Sequence, residues 1–174
     1  MLKICSSNRN VDVISLANKC MLHPSIPLHG PEHHYLTSCI FLGWLKALGF
    51  KVSDREFKIA IERGSIIPGG SCGSMGLCGA PVGMGVALAV FVRSTPLKAY
   101  ERTLCMKVVN EGLKIIERIG GIRCCKASTY ASIIAASRVL YEELKIGFKV
   151  EKIHCIFSKR NTECLKESCP FYCE

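Results

Sequence analysis

The sequence predicts a mainly α-helical protein, a compact domain of apolar helices packed side by side with a small cysteine-rich C-terminal module. Two observations predict this fold. Of the 174 residues, 49% are apolar and 21% are charged, which is enough to bury one core and excludes general disorder. Apolar residues also recur at helical spacing, between capping signals, along most of the chain.

Six helices are expected. They cover residues 12–21, 32–48, 53–62, 80–92, 95–119 and 129–145. The second follows a proline and stops at Gly49. The third begins with a capping box, in which Ser53 and Glu56 satisfy each other's amides, and stops at Gly64.

Small residues mark one face of the fourth helix. Gly79, Gly83 and Ala87 fall at every fourth position, which allows a neighbouring helix to approach closely. After the last helix, residues 149–157 alternate enough to predict a short strand. We therefore divide the chain into a helical domain, residues 1–148, and a cysteine-rich tail, residues 149–174, within one folding unit.

Hydropathy predicts no membrane span. The longest continuous apolar stretch, residues 77–92, is shorter than the roughly 20 residues that a spanning helix needs. Residues 1–13 contain no apolar stretch of signal-peptide length, so we expect a cytoplasmic protein. In that compartment its twelve cysteines should be reduced, and clustered thiols favour metal binding or catalysis over disulfides.

The net charge of +9 does not by itself predict a partner. The excess is spread over both halves of the chain, acidic residues are interleaved with it, and no basic arm occurs. We interpret it as a solvated, lysine-rich surface and do not expect nucleic acid to bind.

A loop of Gly, Pro, His or Cys, followed directly by a nearly uncharged helix, occurs three times. The loops are residues 29–34 (His-Gly-Pro-Glu-His-His), 69–79 (Gly-Gly-Ser-Cys-Gly-Ser-Met-Gly-Leu-Cys-Gly) and 120–126 (Gly-Gly-Ile-Arg-Cys-Cys-Lys). Each lies at or before a helix N-terminus, where unpaired amides favour thiolate over thiol. We expect these helix starts to meet at a shared pocket.

The candidate site residues of these loops are metal ligands, glycines that let the backbone approach a bound group, and side chains that bind anions or move protons. They are Cys72, Cys78 and Cys124; Gly70, Gly73 and Gly79; and His29, Glu32, His33, Arg123 and Lys126. Plain turns and capping histidines remain alternatives. Three further cysteines, Cys20, Cys39 and Cys105, lie in apolar helical patterns and are expected to be packing residues.

The tail adds four thiols within nineteen residues. These metal-ligand candidates are Cys155, Cys164, Cys169 and Cys173. Their spacing matches neither a zinc ribbon nor a ferredoxin run, but the pair Cys169-Pro170 is similar to the end of ferredoxin motifs. We therefore favour an iron–sulfur cluster, a 4Fe–4S cluster above all, with zinc as the alternative. The spacing leaves open whether the tail cysteines and the cysteines at the helix starts form one site or two.

The three loops, together with residues 161–164 and Cys169-Pro-Phe, resemble an uncharacterised family of cysteine-rich domains. Its members occur in methanogens and other anaerobes, sometimes joined to a methyltransferase or radical-enzyme domain. The resemblance covers residues 29–171 and implies an anaerobic setting and a protein partner of those kinds, without an established activity. Residues 72–78 also resemble, locally, the cluster-binding helix start of iron–sulfur serine dehydratases and cysteine desulfidases.

The leading hypothesis is a cytoplasmic iron–sulfur protein whose Cys/His pocket carries out sulfur transfer or a lyase-type elimination. The substrate would be small and anionic or sulfur-containing, and His29 or His33 would carry the proton. One alternative is a zinc-stabilised binding or accessory module without catalysis. The other is an RNA-binding component of a thiolation pathway. A homo-oligomer is an open alternative.

Overall fold

The structure, a computed structural model, describes residues 4, 5 and 12–173. Seven α-helices lie in these residues: α1 Val13–Met21, α2 Glu32–Ala47, α3 Asp54–Ser65, α4 Ser71–Ser74, α5 Gly79–Phe91, α6 Ala99–Ile119 and α7 Cys125–Val139. A π-helical turn, Leu140–Leu144, extends α7, and 3₁₀ turns follow at Ser158–Arg160 and Lys166–Ser168. The prediction of a mainly helical fold is confirmed.

Helix α2 forms the centre of the fold and packs against α1, α3, α5 and α7. It is buried on almost every side, which explains why its sequence carries no clear polar face. Helix α6 lies outside, against α5 and α7, and buries only one stripe, including Leu104 and Val108.

The small-residue face of α5 lies directly against α2. A Cβ atom on Gly83 would lie 1.9 Å from the carbonyl oxygen of His34, and one on Gly79 would lie 2.3 Å from its ring. Hydroxyl groups of α2 use this close approach, because Thr37 donates to the carbonyl of Ala80 and Ser38 to that of Gly83, at 2.8 and 2.7 Å. This contact fixes the starts of α2 and α5 relative to each other.

Three predicted boundaries are wrong. Gly64 does not end α3 but lies inside it, where a Cβ atom would come within 2.9 Å of Tyr35. Helix α6 begins at Ala99 and leaves Leu97 95% exposed. Helix α7 begins at Cys125 instead of Thr129, whose hydroxyl donates to the carbonyl of Cys125 within the helix.

The expected strand at residues 149–157 is also absent from the described residues, where no strand is found. A strand needs a partner for its backbone, and here the amide of Val150 donates to the Ser137 hydroxyl instead. Val150, Phe157 and Phe171 are buried against the helices, and Phe171 makes an edge contact with Tyr130 at 5.5 Å. The tail therefore folds onto the bundle as irregular chain.

Candidate functional site

Helices α2, α5 and α7 all begin at one cleft of about 770 Å³. All three loops singled out in the sequence line it, together with the end of α6. Cys72, Cys78, Cys124, Gly70, Gly73, Gly79, His33 and Arg123 are among the lining residues; His29, Glu32 and Lys126 are not. We call this the helix-mouth cleft.

Four cysteines line the cleft, and three of them, Cys72, Cys78 and Cys125, belong to it alone. Cys72 is exposed, whereas Cys78 and Cys125 are partly buried. Burial raises the pKa of both Cys78 and Cys125; hydrogen bonds from Ser128 and the amide of Ala80 to Cys78 offset part of this effect. At Cys78 and Cys125, desolvation therefore opposes the thiolate form and outweighs the hydrogen-bond donors.

His34, which the sequence did not single out, lines the cleft and is 8% exposed. Its Nδ1–H donates to the carbonyl of Ile67 at 3.2 Å, which leaves Nε2 as the basic nitrogen. No hydrogen-bond partner for this atom occurs among residues 4, 5 and 12–173. Because the ring lies against Gly79, it is held beside the start of α5. The sequence signal that could have identified His34 is the small-residue face of α5, because this face allows α5 to pack closely on α2.

His33 and Lys126 form a buried polar pair. Each is 1% exposed, and the ammonium of Lys126 donates to Nε2 of His33 at 3.0 Å. The other ring nitrogen of His33 donates to the carbonyl of Gly30. Burial, together with the nearby Lys126 charge, lowers the pKa of His33 to about 3. With both nitrogens engaged, His33 positions Lys126 and is a poor proton carrier at neutral pH.

His29 connects the cleft to the tail. Its Nδ1 accepts from the amide of Cys125, and its Nε2–H donates to the side-chain oxygen of Asn161 at 3.1 Å. Asn161 in turn donates to the sulfur of Cys124 at 3.7 Å. Glu163 lies between His29 and Arg123, at 3.7 and 3.6 Å. His29 thus holds two loops together, and Arg123 lines the cleft with its charge paired to Glu163.

Glu32, a candidate residue of the shared pocket, does not line the helix-mouth cleft. It is half-buried, and its Oε2 is a buried oxygen without a hydrogen-bond partner in the described part of the chain. It packs near Gly30 and Pro27 and not on the cleft wall.

Four thiols, one from the residue before α7 and three from the tail, line a second, small cavity. They are Cys124, Cys155, Cys164 and Cys169. Cys173 does not line it; its thiol donates to the backbone carbonyl of Cys155. We call this the thiol cavity. Cys124, Ala127 and Leu165 line both cavities, so the helix-mouth cleft and the thiol cavity share a wall.

Hydrogen-bond donors point at these sulfur atoms. The amide of Phe157 donates to Cys155, two residues earlier, and the amide of Lys166 donates to Cys164 in the same way, both at 3.4 Å. Such bonds favour the thiolate form and orient a metal-binding thiol. Burial still raises the pKa of Cys155 and of Cys124.

Lys126 brings a positive charge to the thiol cavity. Its ammonium donates to the carbonyls of Met21 and Pro27 as well as to His33, and it lies 4.8 Å from the ring centre of Phe157. Burial lowers its pKa to about 8. It forms no ion pair with a carboxylate of the described residues. An uncompensated buried charge is costly, and the neighbouring thiols are the groups that could compensate it as thiolates.

The family of unknown function DUF5714 matches residues 1–172. The chain belongs to DUF5714. The matched range is longer than residues 29–171, over which the sequence motifs showed a resemblance. The association with methanogens and with joined domains remains a prediction. No curated protein and no solved structure matches the chain. Within the described part of this DUF5714 chain, no helix is long and apolar enough to cross a membrane.

Proposed function

We propose that this DUF5714 protein is a cytoplasmic metalloprotein that binds an iron–sulfur cluster through Cys124, Cys155, Cys164 and Cys169. The observation that carries the proposal is four thiols around one cavity beside a buried ammonium without a carboxylate partner among the described residues. Four cysteines are the usual ligand set of both two-iron and four-iron clusters. This set keeps four of the seven expected ligands. Cys72 and Cys78 lie at the helix-mouth cleft, and the Cys173 thiol donates to the carbonyl of Cys155.

We prefer a cluster to a single zinc ion because the proposed ligand set is four thiols and ends with the pair Cys169-Pro170, which is similar to the end of ferredoxin motifs. No group of three or more His, Cys, Asp or Glu among residues 4, 5 and 12–173 is arranged to hold a metal ion. Thiolates that share one zinc must lie roughly 4 Å apart, because each Zn–S bond is about 2.3 Å long. A cluster holds its cysteines farther apart than a single zinc ion does. Cys155, Cys164 and Cys169 lie outside α-helices.

The second candidate is a zinc-stabilised module without catalysis. The observation that favours it is the volume of the thiol cavity, about 20 Å³, which is closer to one ion than to a cluster. In this case the metal would fix the tail, and the helix-mouth cleft would bind a ligand or partner.

Anaerobic purification followed by iron, sulfide and zinc analysis distinguishes these candidates. A brown protein with about four irons and four sulfides per chain supports the 4Fe–4S assignment. Cys124→Ala and Cys164→Ala should lose the metal, whereas Cys105→Ala, a half-buried cysteine of α6, should retain it. Stoichiometric zinc without iron would establish the second candidate. A protein that takes up neither metal would overturn both.

For the helix-mouth cleft we propose sulfur transfer. A persulfide donor would enter at the exposed Cys72 and meet Cys78, where the Cys78 sulfur bonds to the outer sulfur of the donor. The donor S–S bond breaks, the donor leaves as a thiol, and the Cys78 proton passes to it through Nε2 of His34. Arg123 would hold an anionic group of the donor in exchange for its partly exposed ion pair with Glu163. Because the Cys78 pKa is raised, this step needs a base in the cleft.

Mass spectrometry after incubation with cysteine persulfide tests this step. The expected result is a gain of one sulfur atom on Cys78, a slower gain in His34→Gln, and an unchanged gain in Cys39→Ala, whose thiol is buried in the core. A gain that is unaffected by Cys78→Ser would overturn the assignment.

A further inference from the structure

A second large cavity lies at the opposite end of the bundle from the helix-mouth cleft. It is an open groove of about 1180 Å³, formed where α2 and α5 end and α3 begins. The two ends of α2 lie about 24 Å apart, because the helix has 16 residues with a rise of about 1.5 Å each. The groove is therefore a separate site, and its chemistry does not depend on the proposed metal.

The groove is strongly basic. Its lining includes five cations, Lys46, Lys51, Arg55, Arg63 and Arg93, against a single carboxylate, that of Glu56. Glu56 is engaged in the capping box, where its carboxylate accepts from the amide and hydroxyl of Ser53. None of the five cations forms an ion pair with another described residue. The fold gathers here charges that are dispersed along the sequence.

Helix dipoles explain some of these charges but not all. Lys46 and Arg63 lie in the last turns of α2 and α3, where a cation is favourable. Arg55 lies in the first turn of α3, where the dipole makes a cation unfavourable. Arg93 follows α5 with a left-handed backbone, φ of 53°, a position in which glycine is the more stable residue. The groove is thus lined by one cation that its helix dipole disfavours, Arg55, and by one residue whose backbone conformation favours glycine, Arg93.

The floor of the groove indicates which polyanion fits. Phe50 lines it, half-buried and held by an edge contact with the ring of Phe91, 5.4 Å away between centroids. An aromatic face beside arginines is the combination that binds single-stranded nucleic acid, with bases stacking on the ring and phosphates meeting the guanidinium groups. Carboxylates of an acidic peptide would use the cations but not the ring.

We propose that this groove binds single-stranded nucleic acid, with the five cations contacting phosphates and Phe50 stacking on a base. Fluorescence anisotropy with a labelled RNA of about 12 nucleotides tests it, using the full chain with its metal. For single strands, the logarithm of affinity falls with the logarithm of salt concentration by about 0.7 per phosphate contact, so five contacts give a slope of about −3.5. Losing one contact should weaken binding about eightfold at about 50 mM salt.

Two variants separate binding from folding. Arg55→Gln and Arg93→Gly remove locally unfavourable residues, so their thermal midpoints should equal or exceed that of the wild type, while each weakens RNA binding. Arg102→Gln, an exposed arginine of α6 outside the groove, is the matched control and should bind as the wild type does. Phe50→Leu should weaken binding without changing the salt slope.

Three outcomes would overturn the proposal. One is equal weakening by Arg102→Gln, which would mean general charge attraction. Another is affinity that does not change with salt concentration, because phosphate contacts release counterions. The third is displacement of the RNA by a polyglutamate peptide of the same charge at equal concentration, which would identify the groove as a site for an acidic protein.

Discussion

The cysteines of the bundle and those of the tail occupy opposite environments. Cys5, Cys20 and Cys39 are fully buried among apolar side chains, and the sulfurs of Cys5 and Cys20 lie 3.4 Å apart. Burial raises the pKa of Cys39 to about 12. Around the thiol cavity, by contrast, amide donors reach the sulfurs of Cys155 and Cys164, and an ammonium lies nearby. The comparison teaches that polar neighbours, and not burial alone, distinguish a thiol suited to bind a metal from a packing thiol.

Removing the metal should produce the largest difference between the two groups. The tail is mostly polar and irregular, so we expect the bound metal to hold it closed with a free energy of several kcal/mol. Limited proteolysis of the metal-free protein should cut within residues 149–173 and spare the helices from 13 to 139. Equal protection with and without metal would show that Phe157 and Phe171 suffice to hold the tail.

Lys126→Met tests whether the ammonium compensates thiolate charge. The change leaves Nε2 of His33 and two backbone carbonyls without a donor, which should lower the free energy of unfolding by about 3 kcal/mol. If the ammonium of Lys126 compensates thiolate charge, Lys126→Met should lower the free energy of unfolding more in the metal-loaded protein than in the metal-free protein. Chemical denaturation of both forms measures this, with the exposed Lys58→Met on α3 as control. Equal losses in the two forms would contradict a charge role.

The loss of stability in acid that is due to His33 should be smaller than the loss expected for Lys126→Met. The pKa of His33 is about 3 in the folded protein and about 6.5 when unfolded, so the unfolded chain binds a proton first as pH falls. Stability is complete above pH 6.5 and is lost towards pH 3, by about 1.4 kcal/mol per unit, or about 2 kcal/mol at pH 5. The charged and titratable groups nearest to it are Lys126, His29 and His34.

Denaturation of the wild type and of His33→Gln between pH 7 and pH 5 isolates this effect, since the other groups titrate in both proteins. The expected result is a shallower pH dependence in the variant. Parallel curves would show that His33 becomes protonated without cost in the folded protein.

Local sequence signals predicted the helices well and the sites less well. The capping box at Ser53 and the periodicity of α1 depend on neighbours in the chain, and the structure has both. The sequence pattern singled out His33 and not His34, although both line the cleft, because the position of the His34 ring depends on how α5 packs on α2. Cys124 could not be joined to the tail cysteines by spacing, since the contact spans the whole of α7 and the following turn.

Replacing a buried thiol of the bundle should have the smallest effect on stability and metal content. Cys39 lies at the centre of the core with no exposed surface and no hydrogen bond to another described residue, so its sulfur acts as a small apolar group. Cys39→Ala removes one buried atom and should lower the free energy of unfolding by about 1 kcal/mol, through lost burial and a small cavity. Metal content should not change, because Cys39 lines neither the thiol cavity nor the helix-mouth cleft. Denaturation and metal analysis of the same preparation measure both quantities, and Cys164→Ala is the matched change in the tail. If Cys39→Ala lost metal as Cys164→Ala does, polar surroundings would no longer distinguish the two groups, and the bundle thiols would belong to the metal site.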